Sequence, residues 1–298
     1  MHVPVTTSAR PAARLVVALV AVVSAGGLSC GDNGWGDEGG SGAIAARDGG
    51  TAADGGSGPP GGPLLFVVMN FSDEAAFLNA ALSADDLVGV YAAHGAFLSL
   101  VTRPGRALTG PSIPALQEAL LDLGGTALDY LVYNPEIYDT HGTPQGELDD
   151  PPGAVAALRP LTDALGSGLG FFPDLTLLET YGAAVAPLVD LAGIQAQRYQ
   201  LRPDELRAAV AAAAEVYRGA NPAVKMFAQL FMAPPVYGDD GKPVRDANGE
   251  KVYQAVSAEE VIDAINLITD LVDGVVIAHS EETEPELTRF LGLLRPAR

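Results

Sequence analysis

The sequence predicts an α/β fold, a (β/α) TIM-like barrel over residues 64–298. Three observations carry the prediction. Short, continuously apolar runs recur along the chain, as strands of a parallel sheet do when both faces are covered. Stretches with helical spacing and their own start signals lie between the runs, so strand alternates with helix to the end. Neither G-x-G-x-x-G nor G-x-x-x-x-G-K-[ST] follows any run, which weighs against the alternative for this rhythm, a doubly wound open sheet.

Seven strands are read in order: 64–69 (LLFVVM), 96–101 (AFLSLV), 128–133 (LDYLVY), 168–172 (GLGFF), 191–196 (LAGIQA), 224–230 (VKMFAQL) and 274–278 (GVVIA). A barrel needs eight, so either an irregular strand lies within 99–113 or the barrel is incomplete. Helices are predicted over 73–82, 85–93, 113–123, 153–165, 175–188, 203–217, 258–271 and 285–294. Ser257 to Glu260 and Thr283 to Glu286 have capping-box spacing, Ser83 to Asp86 is an aspartate variant of it, and Pro203 suits a first helical turn. The one long interruption, 233–256, carries Asn248-Gly249 between paired Val-Tyr ends and reads as a β-hairpin at the barrel mouth. Its Asp239, Asp240, Asp246 and Asn248 fail the spacing of a calcium loop, so no metal is expected there, nor any cofactor.

In a barrel of this kind the loops that follow the strands converge at one end, and chemistry gathers there. The last residues of the predicted strands are Asn70; Thr102 and Arg103; Asn134 and Glu136; Asp174; Gln195, Gln197 and Arg198; Gln229; and His279 and Glu281. This ring is rich in amides. Two-residue periodicity turns Gln195 and Gln197 into the barrel, where a polar ligand, or each other and nearby backbone, would satisfy them. Glu136, held by Pro135 just past a strand end, is placed to act as acid or base. Asp174 precedes a helix and also suits an N-cap, while His279 with Glu281 would make an oriented base. Tyr133, Tyr138 and Tyr199 offer flat faces, although an aromatic fraction of 6% is low for a deep sugar cleft.

The first thirty residues carry the address. Arg10 and Arg14, an apolar run over 15–23 and a small-residue exit read as a secretory signal, too short for the roughly 20 residues of a spanning helix. Cys30 is the single cysteine of the chain. Leu28-Ser29-Cys30-Gly31 resembles the lipobox of bacterial lipoproteins, with Gly27 where the family usually has leucine. The resemblance implies acylation of Cys30 and cleavage before it, making 1–29 a lipoprotein signal peptide. It also implies a palmitate-type membrane anchor and, with Gly31 rather than aspartate after the cysteine, sorting to the outer membrane or cell surface. Ordinary cleavage after Ala25 is the alternative, and would release a secreted soluble protein.

Residues 30–63 are dominated by glycine, serine and aspartate and cannot bury a core, so they read as a disordered tether spanning roughly 30 Å. The chain has 17 Lys and Arg against 37 Asp and Glu, a net charge of -20. Such a balance repels nucleic acid and anionic lipid headgroups, so no nucleic-acid partner is expected and membrane attachment rests on the lipid.

Through its strand rhythm, Asn134-Pro135-Glu136 and amide-lined mouth, the body resembles the (β/α)-barrel glycoside hydrolases. That resemblance implies a hydrolase-like activity on envelope or environmental glycans, with Glu136 as general acid and Asp174 or Glu281 as the second carboxylate. The competing expectation is a non-catalytic envelope lipoprotein whose mouth, with Asn70, Asn134, Gln195, Gln197, Arg198, Gln229 and His279, binds a polar ligand or partner.

Overall fold

In a computed structural model of the chain, which describes residues 63–137, 142–238 and 242–294, eight strands pair in parallel and in sequence order into a closed barrel. They are β1 (Leu64–Val68), β2 (Leu87–Tyr91), β3 (Gly105–Gly110), β4 (Tyr130–Tyr133), β5 (Gly168–Phe171), β6 (Leu191–Ile194), β7 (Lys225–Phe231) and β8 (Gly274–Ala278). Closure comes from β8 pairing onto β1, with Phe66 opposite Val276. The helices are α1 (Glu74–Ala81), α2 (Ile113–Asp122), α3 (Gln145–Asp149), α4 (Pro151–Leu165), α5 (Leu175–Val185), α6 (Pro203–Ala220), α7 (Ala258–Ile268) and α8 (Glu284–Leu294). The signal peptide, Cys30, the tether up to residue 62, Tyr138, Asp239 and Asp240 lie outside the described residues. Among the described residues no helix is long and apolar enough to cross a membrane.

Alternation along each strand divides the core in two. Outward residues such as Leu65, Val67, Val88, Leu131 and Ile277 join the layer beneath the helices, while Phe66, Val132, Phe172, Leu191, Phe227 and Val276 fill the lumen. Three phenylalanine rings occupy much of that lumen because glycines face them. A Cβ on Gly89 would overlap the Phe66 ring, one on Gly193 the Phe172 ring, and one on Gly274 would stand 2.5 Å from Phe227 Cε1. Large side chains from three strands are thus matched to missing ones on their neighbours, which closes the barrel on a packed core.

Two sequence expectations are corrected. The apolar run at 96–101 is not a strand: residues 92–100 form 3-10 turns kinked at His94, and burial recurs every third residue at Gly95, Leu98 and Val101. The second strand is instead β2, inside the stretch read as a helix over 85–93. The reason is Asp86, fully buried, whose carboxylate takes Ser83 N, Ser83 Oγ and, across the sheet, Leu65 N at 2.9 Å. The apparent helix cap is therefore a staple between neighbouring strands. β3 falls within 99–113, where an irregular eighth strand was one of the two expectations.

Helix starts follow the chain more closely. Ser112 caps α2, Asp150 caps α4, Asp174 caps α5, and Ser257 with Glu260 forms the capping box of α7. Glu286 does not close a box on Thr283 but accepts from Ala258 N, tying α8 to the start of α7. The predicted hairpin between β7 and α7 is more elaborate than a single turn. Bridges join Pro235 to Tyr253, Tyr237 to Pro243 and Arg245 to Lys251, so three short extended segments pair with one another: Val236 N donates to Val252 O, Val252 N to Val244 O and Val244 N to Val236 O.

Candidate functional site

The loop after β4 sets Glu136 at the carboxyl-terminal mouth of the barrel, 3% exposed. Its position is fixed on several sides. The Glu136 amide donates to Thr143 Oγ1 at 3.1 Å, and Thr143 in turn donates to Pro111 O, pinning the loop to the entry of α2. On the side chain, Asn134 Nδ2 and Gln195 Nε2 approach Oε1 at 3.4 and 3.3 Å. Burial, reinforced by the nearby Asp174 charge, pushes the Glu136 carboxyl up to about 7, against the lowering pull of Gln195, Asn134 and the Lys251 ammonium. A carboxyl that still holds a proton near neutrality can deliver it to a leaving group.

Asp174 holds the same loop from below. Its Oδ2 accepts from Ile137 N at 2.8 Å and its Oδ1 from Leu177 N at 3.0 Å, so it caps α5 and staples the loop that carries Glu136. Burial raises its own carboxyl despite those backbone bonds. It contributes a fixed charge beside Glu136, with both oxygens already engaged.

The amides after β6 form a chain toward the carboxyl. The strand ends at Ile194, so Gln197 sits in a 3-10 turn rather than on a strand face, and its Nε2 points to Gln195 Oε1 at 3.4 Å. Gln200, which sequence reasoning did not single out, clamps this turn to β7: its Nε2 donates to Phe231 O and its Oε1 accepts from Phe231 N, each at 2.8 Å. The Arg198 guanidinium lies 5.1 Å from the centre of the Tyr237 ring, docking the insertion on the mouth by a cation-π contact. The Lys251 charge that reaches Glu136 comes from the same insertion.

Other predicted residues fall elsewhere. Asn70 and His279 meet at the β1–β8 seam, where Asn70 Nδ2 donates to His279 O at 2.8 Å. The partner of His279 is not Glu281 but Glu74, whose Oε1 stands 3.5 Å from Nε2 with both side chains buried. Glu74 Oε2 also accepts from Asn70 N. Glu281 is exposed on the turn after β8. Thr102 and Arg103 sit at the entry to β3, the opposite end of the barrel from the mouth, with their amides on Asn79 Oδ1.

Below the mouth lies a cavity of about 20 Å³, lined by Phe66, Val68, Tyr91, Thr109, Asn134, Phe172, Gln229 and Val276. Tyr91 and Thr109 were not singled out from the sequence. The alternation Leu87, Gly89, Tyr91 on β2 and Gly105, Ala107, Thr109 on β3 carries the signal that places them inward, once those strands are recognised. Among the described residues no cluster of three or more His, Cys, Asp or Glu side chains is arranged to hold a metal.

No protein-family model matches the chain, and no curated protein does. Among solved structures it is similar to the PgaB (BpsB) glycoside hydrolase domain from Bordetella bronchiseptica, at 10% identity over 80% of this chain and 100% of that one, with a TM-score of 0.47. It is also similar to the probable 3-DHS dehydratase AsbF from Bacillus anthracis, at 10% identity over 79% and 100% with a TM-score of 0.48. A citrate lyase from Burkholderia xenovorans shows 12% identity over 76% of each chain and a TM-score of 0.45. These likenesses do not bear on chemistry, and the barrel stands on its own strand pairing.

Proposed function

We propose that this chain is an extracytoplasmic, lipid-anchored barrel enzyme with glycosidase-like hydrolytic chemistry, in which Glu136 is the general acid. The observation that supports the reading best is the Glu136 carboxyl itself, buried at the mouth, pushed up to about 7 and held in place by Asn134, Gln195 and Thr143. Asp174 is the second carboxylate of the pair, and its charge adds to burial in keeping the proton on Glu136. Substrate lies across the rim, between the β4 and β6 loops and the insertion at 233–256, and the ligand it offers is a carbohydrate. A screen of glycan hydrolysis with wild type and Glu136→Gln tests this. Activity that disappears in the variant supports the assignment, and activity that persists refutes it.

A second reading has its own support. The lumen holds a cavity of only about 20 Å³, and both Asp174 oxygens are taken by backbone amides, as a non-catalytic lipoprotein that binds a polar ligand would allow. Glycan binding without hydrolysis by wild type would select it. For the address we propose acylation at Cys30 and an outer-membrane or cell-surface location, supported by the lipobox resemblance and the glycine-rich 30–63 segment. The mass of the mature amino terminus decides: an acylated Cys30 supports the anchor, and a terminus at Gly26 excludes it.

A further inference from the structure

We propose that the lumen cavity is a binding subsite for one neutral hydroxymethyl group of the ligand, held by the polar side chains of Tyr91, Thr109, Asn134 and Gln229. The proposal rests on the carbohydrate reading above and specifies the part of the sugar that the barrel reads.

The lining divides by chemistry. Phe66, Val68, Phe172 and Val276 supply apolar contact, while the four polar groups come from two sides of the barrel. Tyr91 and Thr109 stand opposite each other in the β2–β3 register, Asn134 follows β4, and Gln229 faces in from β7, where it pairs with Val276 on β8. Gln229 is 7% exposed, while Tyr91 and Thr109 are half-buried, and all three line the cavity. Asn134 spends its Nδ2 on Glu136, and its Oδ1 is buried without a partner among the described residues. Buried polar atoms are seldom left unmet, and a ligand hydroxyl in the cavity would donate to the Asn134 oxygen while the neighbouring Tyr91, Thr109 and Gln229 side chains offer it further donors and acceptors.

Size and charge narrow the ligand. A cavity of about 20 Å³ exceeds the roughly 10–15 Å³ that one water needs and accommodates a group of about two heavy atoms. None of the eight lining residues carries a charge, so a carboxylate or phosphate would be buried there without a counter-charge. Burial, with the Glu136 charge nearby, drives the Tyr91 phenol far above its usual range, so it remains a neutral donor. A hydroxymethyl arm fits the volume, the apolar wall and the paired need for donor and acceptor. The Asn134 bridge then links occupancy of the cavity to the position of Glu136.

Calorimetric titration of the wild-type full chain with a panel of methyl hexopyranosides (gluco, galacto and manno, both anomers) provides the test. Each is compared with the pentoside lacking the arm and the uronide bearing a carboxylate in its place. At least one hexoside is expected to bind, with its pentoside and uronide roughly tenfold or more weaker. Thr109→Val and Gln229→Met should each narrow that ratio toward one. Should Gln229→Met not fold, the near-isosteric Thr109→Val and a crystal of wild type with the bound hexoside carry the test. Equal binding of hexoside and uronide, no hexoside binding at all, or a ratio unmoved by Thr109→Val overturns the proposal. Selective hexoside binding without hydrolysis would leave the subsite standing and remove the catalytic reading, whereas hydrolysis without arm selectivity would do the reverse.

Discussion

Gln195 Nε2 sits 3.3 Å from Glu136 Oε1, so a side chain just past β6 steadies the carboxyl carried by the loop after β4. β5 separates these two strands in the barrel, and the contact is made above it, at the mouth. The contact pulls the carboxyl down against the burial that raises it, which makes it a statement about chemistry as well as packing.

Glu136 should make the protein lose stability as pH rises. The folded carboxyl titrates near 7 against an ordinary value of 4.5, so the folded state keeps a proton that the unfolded chain has released between those limits. The contribution is fully present below 4.5 and is lost as pH rises through about 7, amounting to about 3 kcal/mol. Urea unfolding of wild type and Glu136→Gln at pH 5 and pH 8.5 should show the variant gaining on wild type at the higher pH. Parallel pH dependences would show that Glu136 does not carry the proton. Any hydrolytic rate should fall on the same alkaline limb.

Removing the Asp174 charge should move that limb. Asp174→Asn withdraws the charge that helps raise Glu136, so the Glu136 carboxyl, followed by carbon NMR, should titrate below about 7. The asparagine can still accept one backbone amide but turns its NH2 toward the other, at a cost of about 1–2 kcal/mol in stability. A Glu136 titration unchanged by the substitution would assign its shift to burial alone.

The lumen should reject a methyl group where a ring is seated. Gly193→Ala places a Cβ inside the Phe172 ring and should cost about 1–3 kcal/mol in urea unfolding. Phe172→Leu in the same chain should recover part of the loss, because the overlap then has no ring to meet. Additive losses in the double variant would show that the two residues are not coupled.

The buried pair at the β1–β8 seam should be sensitive to Glu74. Burial pushes the His279 imidazole down, but the Glu74 carboxylate and the Ser280 and Val68 backbone outweigh it, so the net direction is up from 6.5. Its stabilising contribution is therefore full below 6.5 and lost as pH rises through the folded value. Glu74→Gln should send the His279 proton NMR titration below 6.5, since burial then acts with less opposition, and should cost about 3 kcal/mol. A titration that stays above 6.5 in the variant would show that Glu74 is not the group holding the proton.

Much of the fold is legible because parallel strands buried on both faces leave continuous apolar runs, and seven of the eight strands lie in or beside such sequence, six of them read as strands. β2 was hidden because Asp85, Asp86 and a short apolar run read equally well as a helix start. Only the position of Leu65 across the sheet shows what the Asp86 carboxylate bonds. The run at 96–101 misled for the opposite reason: its apolar side chains are spaced for a three-residue turn, and continuous hydrophobicity does not distinguish that from a strand.

The candidate site divides in the same way. Glu136, Asp174, Asn134, Gln195 and Gln229 could be named from the chain because a strand end can be read locally. Which of them act on one another could not, since Gln195 and Glu136 meet only through barrel closure. The same holds for His279, whose nearest acid in sequence is exposed while its partner, Glu74, lies at the far end of the chain. The sequence by itself determined the alternation of strand and helix, the residues that border the mouth and the acidic balance of the chain, because local spacing and composition encode them. The tertiary structure decided which carboxyl keeps a proton, which amides hold it and which polar groups line the lumen. Burial and charge proximity arise only when strands distant in sequence are brought side by side.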